Sequence, residues 1–391
     1  MKITEFVEGI HYVGVNDRKT TLFEGLWSLP YGVSYNSYLV VDDKIALVDP
    51  VEESYGDVLI GNIEEIIGDR EIDYLVINHM EPDHSSAAKR LKARYPNIKV
   101  VGNVKTLDMF AGYYDLDIDT VQISEGEMIS LGKRSLSFYM IPMVHWPETM
   151  VTYVKEEQVL FTGDALGTFG ALNGGVVDHQ LNLDLYWDEM RRYYSCIVGK
   201  YGVPVQNALK KLKGLDIKFA CPSHGPIWNK EIGKVLDIYN QLSLYKGYEG
   251  MVVVYGSMYG NTEQLAEKIA REIAECYKHP IIVHNLSTAD MSMVIRDIFK
   301  YDSLIVGCPT YNGNIYPPVA ALLTALESRG IPHRNFACFG SFSWAGAAVK
   351  LLNAFAEKMK WNMTTVSLEM KRGYRATLNS SIREFVKEFV K

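Results

Sequence analysis

The sequence predicts an α/β and α+β protein with two domains, residues 1–248 and 249–391, because the two halves of the chain follow different patterns. The first half carries short strand-like segments in pairs, with helical stretches between them. The second half alternates regularly between apolar strands and amphipathic helices. A chain of 391 residues is long enough for two buried cores. We therefore expect helix-covered sheets in the first domain and a doubly wound parallel sheet in the second.

Paired strand signals dominate the first domain. Three stretches consist of an apolar run, a polar turn and a second apolar run, which is typical of a β-hairpin. They are SYLVVDDKIALVD (37–49), SLGKRSLSFYMIPM (130–143) and TYVKEEQVLFTGD (152–164). Helical stretches such as HSSAAKRLKARYP separate them. This mixture indicates sheets that carry helices on their outer faces.

The second domain follows a polar, glycine-containing segment at 239–250, which we interpret as the linker. Beyond it, apolar strands are followed by helices of period 3.6. The strands are MVVVY, SLIVGCP, NFACFGS and MTTVSLEM, and the helices are NTEQLAEKIAREIAECY, PPVAALLTALES, AGAAVKLLNAFAEKM and SSIREFVKEFVK. Repeated βα units of this kind predict a parallel, doubly wound sheet.

Composition and charge exclude several classes of partner. The chain is 48% hydrophobic and 22% charged, which is ordinary for a soluble globular protein. Its net charge of −7 gives no basic field for nucleic acid or anionic lipid. No apolar run is long enough to span a bilayer, and the N-terminal stretch MKITEFVEGIHYVG lacks the apolar core of a signal peptide. We therefore expect a cytoplasmic protein that binds neither nucleic acid nor membrane.

The cysteines point away from disulfides and from cysteine-ligated metals. None of the five forms a C-x-x-C pair, which argues against a disulfide framework, a zinc ribbon and an iron–sulfur or rubredoxin-type site. They are Cys196, Cys221, Cys276, Cys308 and Cys338. We expect reduced and mostly buried thiols.

Four potential metal ligands lie together in the loop INHMEPDHSSA (77–87), which follows the apolar strand YLVIN (74–78). They are His79, Glu81, Asp83 and His84. In an extended loop, side chains at alternate positions share one face. Two crowded carboxylates repel each other, and one would take up a proton unless a cation removes the penalty. The cluster therefore predicts a divalent metal site.

Three more candidate ligands follow other apolar strands. His145 lies in IPMVHWPET, Asp164 in VLFTGDALG and His224 in FACPSHGPIW. The seven residues together supply four histidines and three carboxylates, enough for two metals that share a carboxylate. Any one of them alone is more often a hydrogen-bonded core side chain. Seven at successive strand ends favour a binuclear metal site.

The spacing resembles the metallo-β-lactamase superfamily, whose motif is H-x-H-x-D-H followed by distant H, D and H. This sequence carries H-x-E-x-D-H, with Glu81 in place of the second histidine. A carboxylate in place of an imidazole adds negative charge and a hard oxygen donor. Mixed sites of this composition suit iron or manganese. The resemblance implies an αββα sandwich for the first domain.

The stretch YGSMYGNTE (255–263) joins the first strand of the second domain to its first helix. It offers hydroxyl, amide and backbone donors at a helix N-terminus, where free N–H groups and the helix dipole bind phosphate. It has no lysine and is not a Walker A motif. The pattern S-x-x-x-N-T resembles the phosphate loop with which flavodoxins hold FMN. The predicted contacts are Ser257, Met258, Gly260, Asn261 and Thr262.

Two further loops follow later strands and combine glycine with flat aromatic side chains. Such aromatics can stack on an isoalloxazine ring while backbone amides reach its polar edge. Buried structural aromatics are the alternative for each residue alone, but three neighbouring loops favour FMN. The predicted contacts are Pro309, Thr310, Tyr311, Asn312 and Gly313 in the first loop, and Ser341, Phe342, Ser343, Trp344 and Gly346 in the second.

The H-x-E-x-D-H motif followed by a flavodoxin-like domain resembles the flavodiiron proteins over essentially the whole chain. The resemblance implies two iron ions and FMN as cofactors. It assigns three ligands to one iron and three to the other, with Asp164 as the bridge. The first set is His79, Glu81 and His145, and the second set is Asp83, His84 and His224.

The resemblance also implies reduction of dioxygen to water, of nitric oxide to nitrous oxide, or of both. Two ferrous irons and reduced FMN hold four electrons between them, which is what a complete dioxygen turnover takes. No rubredoxin-like cysteine cluster is fused to the chain, so we expect a separate donor such as a rubredoxin or a reduced deazaflavin. A head-to-tail homodimer or homotetramer is implied, which brings one subunit's FMN near the other's irons.

Three aromatic residues are candidates to line the substrate site. Trp146 follows the candidate ligand His145, and a plain packing role is an equal alternative. Tyr193 or Tyr194, in RRYYS, is a candidate proton or hydrogen-bond donor.

Two other functions remain as alternatives at this point. The first is a zinc-dependent hydrolase of the metallo-β-lactamase fold with an attached flavodoxin domain, against which Glu81 argues. The second is a non-catalytic flavin electron carrier whose first domain is only a scaffold. Metal analysis with a hydrolysis screen separates the first from a reductase, and a chain with flavin but no metal would indicate the second.

Overall fold

The computed structural model describes residues 4–390, which form two compact units. The first unit ends at Asn240 and the second begins at Gln241. The predicted domain boundary, between residues 248 and 249, lies just inside the first strand of the second unit, Tyr248–Tyr255. Within residues 4–390, no helix combines the length and the apolar composition needed to cross a bilayer.

The first unit is built on two sheets. A seven-stranded sheet runs in the order β1-β2-β7-β8-β9-β10-β11, and a five-stranded sheet runs β12-β13-β14-β15-β16. Two small ribbons, β3 with β6 and β4 with β5, complete the unit. The strands are β1 (Thr4–Val7), β2 (Ile10–Tyr12), β3 (Val15–Asp17), β4 (Leu22–Phe23), β5 (Trp27–Ser28), β6 (Val33–Tyr35), β7 (Tyr38–Val41), β8 (Ile45–Val48), β9 (Tyr74–Val76), β10 (Lys99–Gly102), β11 (Thr120–Gln122), β12 (Met128–Ser130), β13 (Ser135–Met140), β14 (Met150–Val154), β15 (Val159–Gly163) and β16 (Phe219–Pro222).

Helices connect and flank these strands. They are α1 (Gly56–Ile67), α2 (Ala88–Arg94), α3 (Val104–Tyr114), α4 (Asp184–Tyr193), α5 (Gly202–Leu212) and α6 (Ile232–Ser243). Every residue of β14 and β15 is buried, as expected of strands that are covered on both faces. The three predicted hairpins are present as the antiparallel pairs β7–β8, β12–β13 and β14–β15.

The second unit is a parallel sheet with the order β18-β17-β19-β21, in which β22 and β23 both pair with β21. The parallel, doubly wound arrangement predicted from the alternating pattern is confirmed. Its strands are β17 (Tyr248–Tyr255), β18 (Ile281–Asn285), β19 (Tyr301–Tyr311), β20 (Asn314–Ile315), β21 (Asn335–Phe342), β22 (Asn362–Met363) and β23 (Leu368–Lys371). Its helices are α7 (Asn261–Ala274), α8 (Met291–Lys300), α9 (Pro317–Arg329), α10 (Ala348–Lys358) and α11 (Asn379–Phe389).

Two local predictions were wrong in detail. The linker is shorter than the predicted 239–250, because α6 continues to Ser243 and β17 already begins at Tyr248. The stretch MTTVSLEM (363–370) does not form one strand, because its first residue ends β22 and its last three residues belong to β23. The two strands pair with different parts of β21, so the chain leaves the sheet edge between them.

Candidate metal centre and cofactor pocket

The first four candidate ligands lie in the loop that follows β9 in the first unit. A short 3₁₀ turn, Pro82–His84, reverses the chain so that neighbouring side chains face one region. Ser85 fixes this turn, because its single hydroxyl hydrogen is shared between the carbonyls of Glu81 (2.8 Å) and Met80 (3.1 Å). Local hydrogen bonds of this kind allow an irregular loop to be buried.

The structure brings all seven candidate side chains together in two groups. In the first, His145 Nε2 lies 3.2 Å from His79 Nε2 and 3.1 Å from Glu81 Oε2. His79 Nε2 and Glu81 Oε2 are 3.4 Å apart. Three potential ligand atoms thus face a common point.

The second group contains the other two histidines and Asp83. His224 Nε2 lies 3.1 Å from Asp83 Oδ2, and His84 Nε2 lies 3.7 Å from Asp83 Oδ1. The strand ends that supply the ligands are far apart in sequence, since His224 follows β16 whereas His84 follows β9.

Asp164 lies between the two groups and turns one carboxylate oxygen toward each. Its Oδ2 is 3.1 Å from His145 Nε2. Its Oδ1 is 3.2 Å from His84 Nε2 and 3.5 Å from His224 Nε2. This is the position that a carboxylate shared by two metals would occupy.

The hydrogen-bonding state of these groups fits a pair of cations. Both oxygens of Asp83, Oδ1 of Asp164, both ring nitrogens of His84 and Nε2 of His224 are buried without a hydrogen-bond partner within residues 4–390. The close approaches among them lack hydrogen-bond geometry, so the atoms converge without satisfying one another. Buried acceptors cost free energy unless they are bonded or bind a metal. Imidazole and carboxylate donors match iron or manganese, so the residues present fit a binuclear site.

The electrostatics indicate that the carboxylates of the site draw positive charge to the histidines around them. Burial lowers the pKa of His145, but the carboxylates of Asp164 and Glu81 outweigh it and raise that pKa to about 10. Burial raises the pKa of Glu81, but hydrogen bonds with His145 and His79 lower it to about 2. Burial likewise opposes ionisation of Asp164, yet the surrounding histidines hold its pKa well below the usual range. A bound divalent cation would take the place of the protons that the histidines hold.

Two supporting contacts were missed in the sequence. Glu148 Oε1 accepts a 2.7 Å hydrogen bond from His79 Nδ1 and a 3.0 Å bond from the backbone N–H of Met80. The carbonyl of Ser34 accepts a 2.8 Å bond from His224 Nδ1. Each contact leaves Nε2 of its histidine as the ligand atom and fixes the ring orientation. Glu148 stands three residues after His145, but a single acidic residue there gives no sequence signal.

The three aromatic candidates occupy different positions. The Trp146 ring stands edge-on to His79, with ring centroids 5.1 Å apart. The Tyr193 ring lies 5.7 Å from the His224 ring, and its buried hydroxyl has no hydrogen-bond partner in the described chain. Tyr194 packs against Tyr239. Phe23, which the sequence did not single out, packs edge-on against His224.

A pocket of about 380 Å³ opens at the carboxyl ends of β17, β19 and β21 in the second unit. This edge of an open parallel sheet is where such folds bind ligands. The predicted cofactor residues line the pocket, except Gly260 and Gly346. Gly260 precedes α7 with a φ of +83°, and Gly346 packs against Phe342 and Glu369.

The pocket has the properties that FMN requires. Ser257 Oγ accepts a 3.1 Å hydrogen bond from Gly260 N–H, which shapes the loop before α7. Thr262 and Ser341 are joined through their hydroxyls at 2.8 Å, which ties the first loop to the third. The rings of Tyr259 and Trp344 are 90% and 87% exposed, and exposed aromatics at a pocket rim offer flat stacking surfaces. Three lining residues were missed: Tyr259, Ala345 and Arg372.

Both units of the chain are similar to known proteins. Residues 33–225 match a family model described as ODP family beta lactamase, and residues 253–383 match the flavodoxin model. A nitric oxide reductase from Moorella thermoacetica is 34% identical over 351 residues, which is 88% of this chain and 87% of that protein.

Solved structures give the same result. The rubredoxin oxygen:oxidoreductase from Desulfovibrio gigas superposes with a TM-score of 0.95 at 28% identity, covering 100% of this chain and 98% of that one. The flavodiiron protein from Giardia intestinalis shares the fold, with a TM-score of 0.94 at 23% identity, covering 100% of this chain and 97% of that one. With both domains matched and the similarity extending over nearly the full length, the chain belongs to the family of flavodiiron proteins.

Proposed function

We propose that this chain is an oxidoreductase that reduces dioxygen to water, nitric oxide to nitrous oxide, or both, at a non-haem diiron site supplied with electrons through FMN. The observation that carries the proposal is the position of Asp164 between two groups of converging ligand atoms. A hydrolase or an electron carrier does not explain that site together with the flavin pocket. The names of the Moorella and Desulfovibrio relatives support both substrates.

In this proposal, His79, Glu81 and His145 would hold one iron, Asp83, His84 and His224 would hold the other, and Asp164 would be shared between them. The interatomic distances within each group support this division. When bound, the two irons and FMN supply the electrons and the open coordination positions for a diatomic substrate.

The protein's own contribution at the metal centre is orientation and exclusion of water. Glu148 and the Ser34 carbonyl hold the rings of His79 and His224, so that their Nε2 atoms point into the site. Both rings are fully buried, so competing water is kept from their ligand atoms. The Tyr193 ring lies beside the His224 ring, and its buried hydroxyl, which has no partner in the described chain, is the candidate to donate a hydrogen bond or a proton to the substrate.

At the flavin pocket, the hydroxyls of the loop before α7 and the N-terminus of that helix would hold the phosphate. Trp344 and Tyr311 would offer flat surfaces to the ring system, and backbone groups of the loops after β19 and β21 would be available to its polar edge. Gly313 has a φ of +71°, which permits the tight turn of the second loop.

The proposal extends to partners and location. The donor is a separate molecule, a rubredoxin or a reduced deazaflavin, and the name of the Desulfovibrio relative supports the former. The subunits assemble head to tail as a homodimer or homotetramer, as the family resemblance implies. The five cysteines are all free of disulfides, which supports a reducing compartment such as the cytoplasm.

The test is anaerobic reduction of the purified, metal-analysed protein, followed by parallel measurement of dioxygen and nitric oxide consumption. We expect iron and FMN in the protein and consumption of at least one gas. Failure to consume either gas with FMN reduced would reject the reductase assignment. Zinc together with hydrolysis of esters or amides would favour the hydrolase instead.

The variant Asp164→Ala tests the bridging assignment. It removes the carboxylate that faces both ligand groups, so we expect loss of both irons while FMN content stays unchanged. Metal analysis and flavin absorbance of the same sample measure the two effects. A variant that keeps both irons and full turnover would refute the bridge.

A further inference from the structure

The FMN phosphate carries about two negative charges near neutral pH, as other phosphate monoesters do. The predicted phosphate loop meets it only with neutral donors, since Ser257, Asn261 and Thr262 carry no charge. The pocket as a whole is lined by neutral residues with one exception, Arg372, within the part of the chain that the structure describes. The sequence gives no signal for this residue, which belongs to none of the three predicted loops.

Arg372 is held at the pocket by its backbone. It directly follows β23, the strand that pairs with the end of β21, and its N–H donates a 2.7 Å hydrogen bond to the carbonyl of Phe342. Its φ of +68° lies in the left-handed region, which is uncommon for a residue with a side chain. The chain therefore turns at Arg372, at the level of the third cofactor loop.

The next residue shows which end of the pocket this turn approaches. A Cβ atom placed on Gly373 would lie 3.7 Å from Asn261 Oδ1, in the phosphate loop. The segment after β23 thus lies against the N-terminus of α7, where the phosphate is expected.

We propose that Arg372 is a fourth, cationic element of the FMN site, which pairs with the phosphate across from the α7 N-terminus. This inference rests on the proposed FMN cofactor and assigns a new residue to it. A guanidinium presents a planar set of donors that matches phosphate oxygens, and the pair strengthens when FMN covers it from solvent. The charge would make the site select the phosphorylated flavin over riboflavin.

The experiment measures flavin dissociation constants by fluorescence on the full-length apoprotein, so it needs no turnover. We expect Arg372→Gln to weaken FMN binding about tenfold or more, a loss typical of a charge-assisted hydrogen bond, and to leave riboflavin binding unchanged. Arg372→Lys should recover part of the loss, because it restores the charge without the planar donors. Salt should weaken FMN binding more steeply in the wild type than in Arg372→Gln.

The control is Arg375→Gln, which makes the same change in net charge three residues later, at a position outside the pocket lining. It should leave the affinity for FMN unchanged. Circular dichroism of each apoprotein checks that the fold is retained. Equal weakening of FMN and riboflavin would overturn the phosphate assignment in favour of a contact with the ring or ribityl chain. Unchanged FMN affinity in Arg372→Gln would overturn the inference alone, whereas a wild type that binds no FMN would overturn the proposed function as well.

Discussion

At the scale of single residues, the metal centre depends on side chains that are not themselves candidate ligands. Glu148 is almost fully buried, and its carboxylate bonds both to the His79 ring and to the backbone next to it. The geometry resembles the carboxylate–histidine pairs that orient ligands in many metal sites. Removing the carboxylate should therefore affect metal binding more than folding.

We predict that Glu148→Gln lowers metal affinity about tenfold to a hundredfold, because His79 loses its charged partner and becomes a weaker ligand. Competition between the apoprotein and a chelator for added metal measures the change. Glu65→Gln, at an exposed position on α1, is the control and should have no effect. Unchanged affinity in Glu148→Gln would contradict an orienting role.

Some residues of the metal centre and the cofactor pocket could be predicted from the sequence, and others could not. The cluster from His79 to His84 was visible because four ligand-type residues are crowded into one loop. Asp164 and His224 were found from their places after apolar strands. Glu148, Ser34 and Arg372 were not found, because an isolated acid, a backbone carbonyl and a surface arginine follow no pattern. Their roles arise only from the folded contacts.

At the scale of elements, the loop after β16 shows how closely the backbone packs next to the candidate metal ligand His224. Gly225 follows His224, has a φ of +86° and donates a 2.7 Å hydrogen bond to Ser34 Oγ. A Cβ atom on this residue would lie 2.1 Å from Thr168 Oγ1, which is closer than atoms can approach. The loop has room for glycine alone.

We predict that Gly225→Ala lowers the free energy of unfolding by about 2 kcal/mol or more, through steric overlap and the left-handed backbone, and reduces bound metal. Urea unfolding and metal analysis measure these effects. Gly233→Ala, in α6, is the matched control, since an added methyl group meets nothing there. It should leave metal content unchanged. A Gly225→Ala protein of wild-type stability would show that the loop can move aside.

Strand β18 and helix α8 are joined by a partly buried hydrogen bond between His284 and Asp297. Asp297 Oδ2 lies 2.8 Å from His284 Nε2, and Asp297 Oδ1 accepts a 2.8 Å bond from Arg296 Nε. Burial raises the pKa of Asp297, but the hydrogen bonds from His284 and Arg296 outweigh it and hold the pKa below its ordinary value. The stabilisation is therefore fully present above the carboxyl's unfolded pKa of about 3.9 and is lost as pH falls through the lower folded pKa.

We predict that Asp297→Asn destabilises the second unit by about 1 to 3 kcal/mol at pH 7, since it removes a buried charged acceptor. The difference from the wild type should shrink as the pH falls below about 4. Urea unfolding of the apoprotein, followed by circular dichroism at several pH values, measures it. A difference that stays constant with pH would exclude ionisation of Asp297 as the cause.

The elements themselves were largely predictable. Long apolar strands and amphipathic helices of the second unit follow simple periodicities, and polar turns marked the hairpins of the first. The ribbon of β4 and β5 was not predictable, since each strand has two residues and their pairing depends on the surrounding loops. The split between β22 and β23 was missed because apolar residues recur throughout MTTVSLEM, which is the pattern of a single strand.

At the scale of the whole molecule, each unit carries one cofactor site. The order of the two domains could be predicted from the sequence because their patterns of strand and helix signals differ. The family models match each domain separately. An assembly of subunits would depend on surfaces that carry no comparable pattern. The proposed head-to-tail assembly therefore needs a direct test.

We predict that two inactive variants restore activity when they are coexpressed. Asp164→Ala lacks the metal centre, and Ser257→Asp puts a negative charge in the phosphate loop and so excludes FMN. In a head-to-tail dimer, a mixed pair joins one intact flavin site to one intact metal site. Dioxygen or nitric oxide consumption by the purified mixed dimer measures the rescue. If mixed dimers form but show no activity, electrons pass from FMN to the metal centre of the same chain, and the head-to-tail arrangement is contradicted.

The two-sided placement of Asp164 has a consequence for how the protein matures. The first metal ion to bind would hold one oxygen of the Asp164 carboxylate. It would thereby fix the second oxygen in the position where the second ion binds. Filling should then be cooperative, so that chains with one ion stay scarce and a population under iron limitation divides into empty and complete molecules. Native mass spectrometry during stepwise addition of ferrous iron would reveal such a division, and an abundant singly loaded species would argue against it.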